Sequence, residues 1–287
     1  MSSITISSAQ EKFRQFLAGQ KRASATILAY GNDIAQLGSF LKGKSISQVS
    51  AVNQALLDQF KADLDKNGYT AKSISRKINS IKTFFRFLKN EKVVENDPAA
   101  SVSHPKYEVK PPRILSKIEY RALRDACRDD VRISAIVELM LQTGIRIGEL
   151  ANLKTEDYKE GGLFIRPYES HGARTIPLNK SAKNALEKYL SQRPKEIKEK
   201  SIFITKTGHS FLVRNIRSAI ERYFAQAEIK GAKVNDLRHT WIYYQLEAGV
   251  SVAAIAKLAG HKRVSTTEKY LELIGNKKDQ TAKLEEL

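Results

Sequence analysis

Residues 93 to 116 read VVENDPAASVSHPKYEVKPPRILS, and this stretch limits the possible folds more than any other. It holds four of the chain's seven prolines, few large apolar side chains and no helical period. Proline lacks a backbone N–H and fixes φ, so such a run belongs neither inside a helix nor in a central strand. It reads as an extended, basic linker. The expected organisation is a helical domain over residues 1–98, a linker over 99–114 and a second domain over 115–287. A chain of 287 residues with 41% apolar content can bury two cores of ordinary size.

Before the linker, residues 8 to 91 read as four helices. Ile27, Tyr30, Ile34, Leu37 and Leu41 recur at three- and four-residue steps in the second, and Leu57, Phe60 and Leu64 mark the third. The fourth carries Ile74, Ile78, Ile81, Phe85 and Leu88. Away from that stripe it presents Lys72, Arg76, Lys77, Lys82, Arg86 and Lys89, with no acidic residue between 70 and 90. Such a face is expected to contact phosphates.

After the linker, Ser116 and Glu119 have capping-box spacing and open a helix through Ala126. VRISAIVELMLQT is almost wholly apolar and belongs in a core. GLFIRPY and RTIPL are short alternating runs separated by ESHGA, a hairpin pattern, and SIFIT reads as a third short strand. The expected fold class is mainly α with a small antiparallel sheet in the C-terminal domain.

Charge narrows the function. The net charge is +18 with a pI near 9.8; residues 1 to 100 hold 15 Lys and Arg against 8 Asp and Glu, which leaves +11 for the remainder. An excess of positive charge in both halves points to a polyanion gripped by both. No apolar run has the length of a membrane span, and the N-terminus lacks a basic region followed by an apolar one, so a cytoplasmic protein without membrane attachment is expected. The single cysteine, Cys127, fits a reducing interior and reads as a buried filler. There is no Walker loop, no G-x-G-x-x-G, no zinc-spaced His or Cys pair, no close Asp/Glu set and no G-x-S-x-G. Neither metal nor cofactor is expected, so any phosphate chemistry falls to side chains.

Three segments supply suitable side chains. TGIRIGEL places Arg146 in a turn after Gly144, with Glu149 three residues on to hold it. NDLRHTW places Arg238 and His239 near the start of a helix. LAGHKRVSTTEKYLEL places His261 after a helix-ending glycine, with Tyr270 nine residues later on a short helix begun near Thr266.

Together these segments resemble the two arginine boxes and the histidine–nucleophile box of the tyrosine recombinases, the family of phage integrases, Cre-like enzymes and Xer-type resolvases. The likeness extends over nearly the whole chain. It implies a two-domain DNA clamp, with a SAM-like core-binding domain and a catalytic domain acting as a site-specific recombinase. Tyr270 would attack a DNA phosphodiester to form a 3′-phosphotyrosyl bond. Arg146 and Arg238 would bind the non-bridging oxygens, His261 would donate to the phosphate, His239 would assist or orient, and Glu149 would support the arginines. The resemblance further implies double-stranded DNA with an inverted-repeat site, four protomers on two sites, a possible accessory or partner recombinase, and a C-terminal tail docked on a neighbour. With no separate arm-binding domain before residue 8, the expected match is to simple two-domain recombinases.

Two positions depart from the family. Asn235 stands where a histidine or lysine usually precedes the second arginine by three residues. In the hairpin no lysine lies between Gly162 and Leu178, and the position of the family's proton-donating lysine falls near Glu169; His171, Arg166, Arg174 and Lys206 are the candidates to replace it. A DNA-binding protein of recombinase descent that cleaves weakly is the second reading these departures leave.

Overall fold

The computed structural model describes residues 4–279 except 21, 160, 161, 170 and 195, with 276–279 described by backbone only. Two compact units divide the chain, Met1–Val109 and Lys110–Leu287.

The first unit contains α1 (Ile6–Gly19), α2 (Ser24–Lys42), α3 (Gln54–Lys66) and α4 (Ala71–Asn90). Thr5, Asn53 and Thr70 cap three of these helices through side-chain oxygens that accept backbone N–H groups. Phe13 is fully buried at the centre, stacked near Phe16 and Tyr30 and edge-on to Phe84. Packing continues past residue 98: Ala99 and Val102 are buried in this core, and the Lys61 and Lys82 ammonium groups donate to the Ser103 and Ala100 carbonyls.

The cationic face of α4 differs from its sequence expectation at two positions. Lys77 is buried and pairs with buried Asp33 of α2 at 3.0 Å, and it also donates to Gln36. Arg76 grips the same carboxylate with both terminal nitrogens, and the Ser80 hydroxyl donates to it at 2.8 Å. The acid missing from α4 is supplied by the neighbouring helix, so Lys77 faces the interior and not a phosphate. Lys72, Arg86 and Lys89 are exposed.

The second unit contains α5 (Lys117–Ala126), α6 (Val131–Thr143), α7 (Ile147–Ala151), the strands β1 (Tyr158–Lys159), β2 (Gly162–Ile165) and β3 (Arg174–Pro177), then α8 (Lys180–Gln192), α9 (Val213–Gln226), α10 (Val234–Glu247), α11 (Val252–Ala259), α12 (Ser265–Glu268) and α13 (Leu271–Asp279). The capping box at Ser116 and Glu119 forms as expected. Apolar α6 lies between α8 and α10 and carries the core with Ile133, Ile136, Leu139 and Met140. Cys127 is buried at the end of α5, and burial pushes its thiol up to about 11.

The sheet is antiparallel in the order β1-β2-β3, with Leu163 opposite Ile176 and Ile165 opposite Arg174. The expected hairpin is present, but SIFIT is not the third strand. Its Ser201 and Ile204 make only isolated bridges, to Lys154 and Ser210, and β1 takes the third place. Buried Ile202 and Phe203 serve the core instead. A smaller cluster of Trp241, Ile242, Leu246, Ile255 and Ala259 encloses Tyr270.

Candidate active site

Two left-handed glycines shape the site. α6 ends at Gly144 (φ 60°) and α11 at Gly260 (φ 64°), a conformation that costs glycine little. A β-carbon on Gly144 would lie 2.2 Å from the Trp241 ring, and one on Gly260 would lie 2.9 Å from the Arg174 guanidinium and 3.2 Å from that of Arg146. Backbone carbonyls at both helix ends are thereby turned towards arginines.

Arg146 is the N-cap of short α7, and Glu149 closes a capping box by accepting the Arg146 backbone N–H at 3.1 Å. The Arg146 guanidinium donates to Glu149 and to the Ala259 and Gly260 carbonyls at 2.8–3.0 Å. Arg174 of β3 donates both terminal nitrogens to Glu149 at 2.9 and 2.7 Å and its Nε to the Leu258 carbonyl. Burial opposes ionisation of Glu149, but the hydrogen bonds and charges of Arg174 and Arg146 outweigh it and lower its pKa to about 2.

Arg238 is different. Only 4% exposed, it donates to the Gly144 carbonyl and, at 2.7 Å, to that of Ala259. Among the described residues no carboxylate lies within 4.0 Å of it. Burial and the charge of Arg146 bring its pKa down to about 9. Carbonyl contacts occupy two of a guanidinium's five N–H bonds, so Arg238 keeps donors in hand. A buried cation without a counter-ion is costly, and it fits a site that awaits an anion.

Tyr270 is buried to 5% exposure and sits in the turn between α12 and α13, not on the short helix itself: its N–H reaches back three residues to the Thr267 carbonyl. Burial pushes its hydroxyl up to about 12, with Arg238 pulling the other way. The hydroxyl meets His239 Nδ1 at 2.5 Å, and His239 Nε2 meets the Asn235 side-chain amide at 2.7 Å. His261 Nδ1 pairs with the Thr267 hydroxyl at 2.7 Å; burial and the Arg238 and Arg146 charges hold His261 down at about 4.

All six expected side chains therefore converge, with Asn235 beside them. Arg174 and Thr267 join them. The sequence offered Arg174 as a candidate to replace the hairpin lysine, but nothing in it paired Arg174 with Glu149. Among the hairpin candidates, Arg166 is engaged by Glu156 and Asp157, and Arg174 by Glu149. His171 lines a cavity of about 310 Å³ with Arg174, Lys257, His261 and Lys262. Its Nδ1 is buried without a hydrogen-bond partner among the described residues.

The chain matches the Phage integrase family over residues 113–276 and the N-terminal SAM-like domain of phage integrases over residues 11–92. It belongs to the phage integrase family. Among relatives of this family, it is 31% identical over 274 residues to a protein named tyrosine recombinase XerC from Natranaerobius thermophilus, covering 90% of this chain and 91% of that one. It is 29% identical over 271 residues to tyrosine recombinase XerD from Staphylococcus saprophyticus, covering 91% and 92%. The phage integrase fold is shared with a crystal structure of a lambda integrase tetramer bound to a Holliday junction, at 19% identity, TM-score 0.76, and 91% and 78% coverage. Among the described residues no helix is long and apolar enough to cross a membrane, and no group of three or more His, Cys, Asp or Glu has metal-holding geometry.

Proposed function

We propose that this tyrosine recombinase cuts and rejoins DNA at a specific site through Tyr270. The observation that carries the reading is the buried Arg238, with no carboxylate beside it, converging with Arg146 and His261 near the Tyr270 hydroxyl. The pentavalent transition state of phosphoryl transfer places extra negative charge on the non-bridging oxygens. Rigidly held guanidinium donors stabilise that charge without reorganising. Glu149 and the carbonyls at 144, 258, 259 and 260 hold the arginines in place. Bond energy is kept in the phosphotyrosyl link, so neither ATP nor metal is required.

His171 is the hairpin group best placed to protonate the leaving 5′-oxygen in place of the absent lysine. Burial and the Arg146, Lys262 and Arg238 charges lower its pKa in the free protein. A bound phosphate supplies opposite charge and raises it again, which brings a proton to the site together with DNA.

The DNA is double-stranded, with an inverted-repeat site bound by both units. Lys72, Arg86 and Lys89, together with half-exposed Arg76, serve as phosphate contacts of the N-terminal domain. Four protomers act on two sites, a reading supported by the lambda integrase tetramer bound to a Holliday junction, and they do so in the cytoplasm. The tail that would dock on a neighbour is LELIGNKKDQTAKLEEL, residues 271–287; α13 (Leu271–Asp279) forms its first part, and residues 280–287 lie outside the described residues.

Incubation with a nicked cognate site tests the chemistry. A covalent protein–DNA species should form and be abolished by Tyr270→Phe with binding retained. Tight binding by the unaltered protein without any adduct sinks the enzymatic reading and leaves a DNA-binding protein. A 5′-bridging phosphorothiolate tests His171, because a thiolate leaves without a proton: this substrate should restore cleavage to His171→Ala.

A further inference from the structure

The Asn235–His239–Tyr270 contacts answer the question raised by the missing proton-transfer group at position 235. With its hydroxyl pushed up to about 12, Tyr270 is a protonated phenol at neutral pH and needs a base to attack phosphorus. Among the described residues, the base in hydrogen-bond reach of that hydroxyl is His239 Nδ1, at 2.5 Å. The rings lie 5.9 Å apart between centroids, inclined by 39°. Asn235 stands one helical turn before His239 on α10, so the i, i+4 geometry brings its amide onto the far ring nitrogen at 2.7 Å.

We propose that His239 is the proton acceptor for Tyr270 and that Asn235 is its positioning residue, so that the pair performs the task the family gives to a single histidine or lysine at position 235. This rests on Tyr270 being the nucleophile. In the cleavage step the Tyr270 O–H bond breaks and its proton passes to Nδ1. The phenolic oxygen bonds to phosphorus, and the P–O5′ bond breaks with its electron pair on the 5′-oxygen, which takes a proton from His171 or water. Ligation is the reverse, with the Nδ1 proton returned to the departing phenolate.

Asparagine suits this work because its amide carries both an acceptor and a donor of similar shape. With the nitrogen facing Nε2, the ring keeps its hydrogen on Nδ1 and donates to the tyrosine oxygen. A half-turn about the Cβ–Cγ bond puts the oxygen on Nε2–H and leaves Nδ1 free to accept. The oxygen then steadies the imidazolium after transfer, as asparagine does in the histidine–asparagine pair of cysteine proteases. Burial holds His239 below the ordinary histidine value, Asp236 raises it and Arg238 lowers it, so the ring is neutral and able to accept at neutral pH. The charged or titratable groups facing the ring are those two on α10, Tyr270 in the turn after α12, and His261 beyond α11.

Single-turnover cleavage of a nicked site as a function of pH tests the assignment. His239→Ala and His239→Gln should slow cleavage by about 10²-fold, with adduct still detectable. Asn235→Leu should slow it by a smaller factor. Asn235→Asp locks the acceptor on Nε2–H and adds a charge, so the acidic limb of its rate profile, which reports protonation of the base, should move up by about one unit. That movement is not expected of a merely structural residue. Cleavage by both His239 variants at the unaltered rate, or identical pH profiles for Asn235→Asp and the unaltered protein, overturns the proposal while leaving Tyr270 in place. No adduct from the unaltered protein overturns both.

Discussion

Asp33 in the N-terminal unit and Glu149 in the C-terminal unit are both buried carboxylates that each receive two cationic side chains, Arg76 and Lys77 on one, Arg146 and Arg174 on the other. Around Asp33 the surplus positive charge escapes to solvent, because Arg76 is half exposed while Lys77 is buried against the carboxylate. Around Glu149 the surplus is trapped, because Arg238 adds a third cation at 4% exposure with only carbonyls to receive it. One cluster ties helices together. The other leaves a buried cation on carbonyls alone, an arrangement that costs stability.

Breaking the first cluster should have the largest effect on folding. Asp33→Ala leaves Lys77 buried and unpaired and should cost about 3–5 kcal/mol in urea unfolding; adding Lys77→Met should recover most of it. If Asp33→Ala alone proves neutral, the Asp33 cluster is not a structural tie.

Arg238→Met sharpens the contrast from the other side. It should slow covalent adduct formation by about 10²–10³-fold while leaving the melting temperature unchanged or raised. A loss of stability as large as that of Asp33→Ala would show that Arg238 is already compensated in the free protein.

Acid probes the Glu149 cluster directly. Glu149 has its pKa lowered from 4.5 to about 2 on folding. Its contribution is therefore present above pH 4.5 and lost as pH falls from 4.5 towards 2, by about 3 kcal/mol. Glu149→Gln should remove that part of the stability–pH profile.

The smallest effects belong to the exposed cations. Lys72→Ala, Arg86→Ala and Lys89→Ala should each lower the slope of log affinity against log salt by about 0.9. Lys77→Met should leave the slope unchanged.

The same contrast shows what the sequence made legible. Three- and four-residue apolar steps revealed the helices because one-sided burial needs that period, and ordered boxes picked out Arg146, Arg238, His261 and Tyr270, which the fold brings together. Lys77 was misread as outward-facing because its partner, Asp33, lies 44 residues away on another helix. Arg174 was named as a candidate for the missing lysine, but its pairing with Glu149 stayed hidden for a like reason: Glu149 is 25 residues distant, and only the folded hairpin brings them together. SIFIT had strand composition, yet burial of Ile202 and Phe203 in the core decided its geometry. The turn at Tyr270 was equally unreadable, since three-residue hydrogen bonding and a short helix leave much the same spacing.

Gly260 carries no functional group, yet two guanidinium groups occupy the space its side chain would need. A single added methyl there would force the Arg174 guanidinium to shift and crowd that of Arg146 without changing a titratable residue. Part of this active site is thus specified by an atom that must not exist, and a search for reactive side chains alone would pass over it.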